Sequence, residues 1–166
     1  RRDEQDAQST CDQAHHMIDD ALYTRLNDDT ALTALVAARI FPGVVPIGEA
    51  FPAIAYNQIS QPRTRGFGND DGPVQPRFQF DVIAKDTEDG GSGYLDCREV
   101  KNHIIRLLNR WQGSPAGVLV ADSQLLDDQY TYDERTKRHR WRMDFQIFAT
   151  EYTPLLFQAD FNAHLA

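Results

Sequence analysis

Two runs of alternating apolar and polar residues constrain what this chain can fold into. The first is Ala53-Ile54-Ala55-Tyr56-Asn57-Gln58-Ile59-Ser60 and the second is Arg77-Phe78-Gln79-Phe80-Asp81-Val82-Ile83-Ala84. A period of two puts alternate side chains on one face, so each run predicts a strand with one side against a core. Between them lies Gln61 to Pro76, rich in Gly, Pro, Asn, Asp and Arg. A tight hairpin needs only about two to five residues, so a loop of this length is either a functional projection or a mobile segment. Nothing in the sequence reads as a catalytic motif, and the loop is the first sign of a protein that works through contacts.

At 166 residues the chain fits one domain, and a domain of this size buries about 70% of its unfolded surface. No apolar run reaches the ~18 residues of a membrane-spanning helix, and no basic segment followed by an apolar one opens the chain. The expectation is a soluble protein made in the cytoplasm, with no membrane partner. A formal charge of −8 argues against a general nucleic-acid binder, while leaving room for a local basic face. Cys11 and Cys97 stand far apart without ligand-like spacing, so two unrelated thiols are expected rather than a disulfide framework or a zinc site.

Residues 1–16 are polar, acidic and almost free of large apolar groups, which suits no core position. An amphipathic pattern begins at Met17, the first methionine. Met17 is therefore expected to be the natural start, and the leader a cloning remnant, upstream translation or an accessory arm. The adjacent His15 and His16 form no preorganised metal site on such a leader.

Ile18, Ala21, Leu22 and Leu26 recur at helical spacing, with Asp19 and Asp20 in the first turn, where the helix dipole favours anions. These neighbouring carboxylates point about 100° apart and cannot share a substrate, so they are solvated helix-start charges. Asp28, Asp29 and Thr30 form a cap cluster for a short second helix carrying Leu32, Leu35 and Val36. Arg39 to Phe41 turns extended, and Pro42 to Pro52 is a loop anchored by Val44, Val45, Ile47 and Phe51.

After a Gly-rich break, Tyr94, Cys97, Val100, Ile104, Leu107, Leu108 and Trp111 mark one face of a long helix over Gly93 to Trp111. His103 reads as a partly exposed helical histidine. Gly117 to Leu126 predicts a strand, and Asp127 to Thr136 a polar turn containing Tyr130 and Tyr132. The last strand is Lys137 to Thr150, with Trp141, Met143, Phe145 and Ile147 on one face. Arg138, Arg140, Arg142, Asp144 and Gln146 fall on the other.

The three arginines form the concentrated basic feature of an acidic chain. They are a solvated sheet face, a surface that meets acidic groups of a neighbouring subunit, or the wall of a lumen through which DNA passes. Because they lie on the polar face, replacing all three with Glu is expected to leave the fold intact. Residues 151–166 carry Leu155, Leu156, Phe157 and Phe161. That segment is too apolar for a free tail, since burying each such side chain stabilises by about 1.5 to 3 kcal/mol. It is expected to dock as an arm on its own domain or on a partner.

The order MIDDALYTRLNDDTALTALVAARIFPGVVPIGEAFPAIAYNQIS from Met17 to Ser60 resembles the opening of the tail-completion, or tail-terminator, family of long-tailed bacteriophages. The resembling features are the short helix from the Met, the L..LV..RIFPG helix and turn, and the P...P.I.Y..IS strand. FQFDVIAKD, the amphipathic helix after it and the late R.RMDFQIF strand are similar in type and order. The resemblance spans nearly everything from Met17 to Thr150 and brings no catalytic residue with it. It implies a structural virion protein forming a homohexameric ring. That ring caps the head-proximal end of the tail tube and joins it to the head connector or stopper, with DNA threading the lumen unread.

The fold expected is α+β: an antiparallel sheet of about four strands with a long hairpin loop, one long helix packed across it and short N-terminal helices. The domains expected are a leader (1–16), a single α+β unit (17–150) and an apolar arm (151–166). No cofactor, metal or catalytic residue is assigned. In the long loop Arg63, Arg65, Phe67, Asp70 and Asp71 are candidates for gripping a neighbouring ring. Two other readings remain. One is another neck component, a stopper or connector adaptor. The other is a small hydrolytic enzyme, for which no GxSxG, HExxH, P-loop or dinucleotide signature is found.

Overall fold

A computed structural model of the chain describes residues 18–65, 71–115 and 118–151. The leader, the arm residues Leu155, Leu156, Phe157 and Phe161, and the loop residues Phe67 and Asp70 lie outside the described residues.

Helix α1 spans 18–27 and α2 spans Thr30–Val36. Asp29 caps α2, its carboxylate accepting the Leu32 N–H at 2.7 Å. The strands β1 (Ile40–Pro42), β2 (Ala53–Ser60), β3 (Arg63–Arg65), β4 (Asp71–Val74) and β5 (Arg77–Lys85) follow. The chain then runs through α3 (Gly93–Leu108), β6 (Val118–Asp133) and β7 (Arg138–Glu151).

All seven strands join one sheet. Strand β7 is its spine: β5 lies along one side of it, from Lys85↔Arg138 to Arg77↔Gln146, and β4 continues that side at Val74↔Ala149. Strand β6 occupies the whole of the other side, from Val118↔Glu151 to Asp133↔Arg138.

The sheet departs from the four antiparallel strands expected. It is mixed, because β1 runs parallel to β2 with Ile40 beside Ile54. The segment before β2 is tied in by Ile54 N–H donating to the Arg39 carbonyl at 2.9 Å and by Asn57 Nδ2 donating to the Gly43 carbonyl at 2.9 Å. The loop between the first two predicted strands is itself the β3–β4 ribbon, which satisfies backbone groups that a structureless loop would leave to water.

The polar turn expected over Asp127 to Thr136 is mostly strand. Strand β6 continues to Asp133, and the turn is confined to 134–137. There Lys137 takes a positive φ of 55° and the Asp133 carboxylate accepts from Thr136 Oγ1 at 2.7 Å and from the Arg135 N–H at 2.9 Å.

Helix α3 ends three residues before Trp111. Arg110 takes φ 61° and its N–H donates to the Ser123 carbonyl of β6 instead of continuing the helix.

The helices cover one face of the sheet. Ile18, Leu22, Leu26, Leu32, Val100, Ile104 and Leu108 pack with Phe78, Phe80, Val82, Met143, Phe145 and Ile147 in one buried cluster. Phe80 stands edge-on to Phe145, ring centroids 5.7 Å apart, and stacks on Tyr56 at 5.8 Å. Among the described residues no helix is long and apolar enough to cross a membrane.

Cys97 of α3 lies in this core with no exposure, its thiol donating to the Val82 and His139 carbonyls at 3.4 Å each. Burial pushes its pKa up to about 12. Since the thiolate is the reactive form, native protein is expected to leave Cys97 unmodified by iodoacetamide at pH 8 while denatured protein modifies it fully. Peptide mass mapping measures both, and fast native labelling would mean that the α3 interface opens.

Candidate assembly interface on the polar sheet face

The face of the sheet away from the helices is built by register. On β5 it carries Gln79, Asp81, Ile83 and Lys85, and on β7 Arg138, Arg140, Arg142 and Asp144, with Asp81 beside Arg142, Ile83 beside Arg140 and Lys85 beside Arg138. On the far side of β7 it carries Gln129, Thr131 and Asp133 of β6.

Asp81 is the organising group. Although on the polar face it is only 5% exposed, because its other neighbour in the sheet is the small Ala55 and arginines close over it. Arg140 grips it with both arms of the guanidinium, Nε at 2.8 Å and Nη2 at 2.6 Å, and Arg142 Nε stands 3.5 Å away. Gln79 Nε2 donates to it at 3.2 Å. This fork-to-carboxylate geometry is the strong form of the charge-assisted bond. The hydrogen bond to Asp81 holds the Arg140 pKa above the usual arginine range. Further along, Arg77 and Asp144 pair through a single contact, Nη2 to Oδ2.

The three arginines that look equivalent in the sequence are therefore not equivalent. Arg140 and Arg142 neutralise a buried carboxylate. Arg138 is exposed, has no carboxylate partner among the described residues, and lies over the Phe51 ring at 5.0 Å. It is the member of the stripe free to meet an outside anion.

Beside this face, the loop from Gly43 to Phe51 forms one wall of an open groove of about 390 Å³ whose floor includes Ala55, Asp81, Ile83, Arg138 and Arg140. The wall projects apolar groups outward: Ile47 is fully exposed at 107% and Val44 is 78% exposed. Gly43 and Gly48 turn the loop with φ of 87° and 94°, conformations that favour glycine.

Of the loop residues singled out by sequence, Arg63 and Arg65 fall on β3 and Asp71 opens β4. They do not join the arginine stripe. What the sequence reading missed is a cluster on the helix side of β6 and β7. Tyr130 Oη and His139 Nδ1 are 2.7 Å apart, and His139 Nε2 is 3.1 Å from Asp86 Oδ1. Tyr94 stands edge-on to Tyr130 at 5.2 Å, and Lys101 Nζ sits 4.5 Å from the Trp141 ring centroid. The signal was present: Tyr130-Thr131-Tyr132 is a strand-prone run with period two, and His139 is in phase with Trp141 and Met143. Among the described residues, no three His, Cys, Asp or Glu side chains are grouped to hold a metal ion.

The sheet is sealed by helices on one side and carries ion pairs, a free arginine and an exposed apolar loop on the other. Residues 20–150 match the family described as Tail completion protein gp17, and the chain belongs to that family. Among solved structures it is similar to a chain in the virion of a native gene transfer agent (GTA) particle. That similarity has a TM-score of 0.61 at 16% sequence identity and covers 78% of this chain and 91% of that chain. At that identity the likeness is one of fold. Comparison with curated protein sequences gives no match.

Proposed function

We propose that this protein is a structural component of a phage virion, made in the host cytoplasm. It forms a ring, a homohexamer, that caps the head-proximal end of the tail tube and joins it to the head connector or stopper. The family match over residues 20–150 carries this reading. DNA passes through the ring without sequence readout, and the protein acts through contacts, with no enzymatic step and no cofactor. Arg138 with the apolar tip at Val44 and Ile47 supplies one contact surface. The apolar arm, residues 151–166, docks on a neighbouring subunit, and the loop between β3 and β4 reaches the adjacent ring.

Cryo-electron microscopy of tails carrying the tagged protein tests this. Density for the protein is expected as a ring at the head-proximal end of the tube. Density confined to the head connector would instead identify a stopper or adaptor, and absence from the neck altogether would remove the proposal.

A further inference from the structure

The outer margin of β6 is half covered. Up to Leu125 it is occupied: Gly113 and Val120 exchange backbone hydrogen bonds of 3.1 and 2.8 Å, Arg110 N–H reaches Ser123, and Leu125 N–H donates to Asn109 Oδ1 at 3.2 Å. From Leu126 to Asp133 the strand's backbone pairs only with β7 among the described residues, and all of these residues are exposed. A bare strand edge presents a row of unpaired N–H and C=O groups, a template for another strand.

This edge has a definite charge. Asp128 is held by Lys101 at 2.7 Å and Asp133 closes the 134–137 turn. Asp127 has no cationic partner among the described residues. It stands directly across from Asp144, which Arg77 already holds. Carboxylates facing each other across a strand pair repel, so Asp127 is a position where a cation brought from outside is favoured.

On the other side of β7 the sheet has two branches: the one through β5 and β2 ends in β1, and the one through β4 ends in β3, the sequence Arg63-Thr64-Arg65, which pairs with β4 alone among the described residues. One edge strand of the sheet is thus short and basic, and the free edge of β6 is acidic. Two different surfaces of the same subunit that fit one another make a head-to-tail contact, which closes into a ring when its rotation divides a full turn.

We propose that β3 of one copy pairs with the free edge of β6, Leu126 to Asp133, of the next, bringing Arg63 and Arg65 to Asp127. The inference rests on the ring reading and specifies which surfaces join. The segment after Glu151 is a poorer occupant, since residues 152–166 contain no Lys or Arg and include Asp160, which would add negative charge to an acidic edge.

A charge exchange tests it on the full chain, with oligomeric state read by light scattering and by microscopy of purified tails. Asp127→Arg and the double variant Arg63→Asp/Arg65→Asp are each expected to weaken ring formation by about a hundredfold, because like charges then meet at the contact. Combining all three substitutions is expected to restore rings, while near-ultraviolet circular dichroism shows each variant folded. Asp127→Asn, which removes charge without reversing it, should weaken the ring less than the reversal.

Rings of normal stability in both separate variants would overturn the edge pairing and leave the ring reading standing. Loss in each without restoration in the combination would also overturn it. A wild-type chain that forms no ring even on tail tubes would overturn both.

Discussion

Replacing Arg140 with alanine is expected to cost about 2 to 3 kcal/mol, because a nearly buried carboxylate loses its two strongest hydrogen bonds. The Arg140 side chain is 42% exposed, so solvent screens part of the pair and the cost falls short of the full penalty of a buried ion pair. For a domain of this length that is a fall in melting temperature of about 5 to 10 °C. Arg138→Ala, which removes an exposed side chain with only a ring contact, is expected to change stability by about 0.5 kcal/mol or less. Scanning calorimetry of the two variants makes the comparison, and equal losses would show that Asp81 does not organise this face.

The expectation that all three arginines could become Glu without harm to the fold is thereby corrected: the triple change would set two more carboxylates against Asp81. Arg138→Glu is the substitution that reads an interface without disturbing the subunit.

Gly93→Ala is expected to destabilise by about 3 kcal/mol, against the direction of helix propensity. By propensity alone alanine at the start of a helix gains about 1 kcal/mol over glycine. Packing decides otherwise. A Cβ at this position would lie 2.6 Å from the Lys85 carbonyl carbon, 2.8 Å from His139 Cδ2 and 2.9 Å from the Asp86 nitrogen. Two of those neighbours are backbone and cannot swing aside.

The same residue is wired to the missed cluster. Its N–H donates to Asp86 Oδ1 at 2.9 Å, and that bond, followed by the one to His139, holds the Asp86 carboxyl below the usual carboxylate range. The variant should therefore lose near-ultraviolet signal from Tyr130 and Trp141 as well as melting temperature. A variant as stable as the wild type would show that the close approach of α3 to β5 relaxes at little cost.

How much of this was legible in sequence follows burial. Strands β5 and β7 turn their large apolar residues to the core, so Phe78, Phe80, Met143 and Phe145 recur with a period of two, and in β2 Ile54 and Tyr56 keep that phase although the small Ala53 and Ala55 are buried as well. The second half of β6 buries neither face. From Leu126 onward its residues are all exposed, no apolar alternation is required of it, and its Asp and Gln residues read as a turn.

The short strands β3 and β4 gave no periodicity to detect, while β1 was legible as the extended stretch from Arg39 to Phe41. The different roles of Arg138 and Arg140 were invisible for another reason. Asp81 lies 59 residues from Arg140, and only register brings them together. The helices, by contrast, were read closely: Asp29 does cap α2, and the apolar face of α3 is the one that packs.

The position of β7 in the chain has a consequence for synthesis. The strand that supplies pairing partners to β5, β4 and β6 is the one that follows them all in sequence. On the ribosome, β5 and β6 must therefore wait with open edges until residues 138–151 have emerged, the interval in which nascent chains are most prone to join one another. Asp81, Asp127 and Asp133 lie on the strands that later pair with β7. Until Arg140 arrives, Asp81 is a solvated charge on an open strand, and it repels the like strand of another nascent chain.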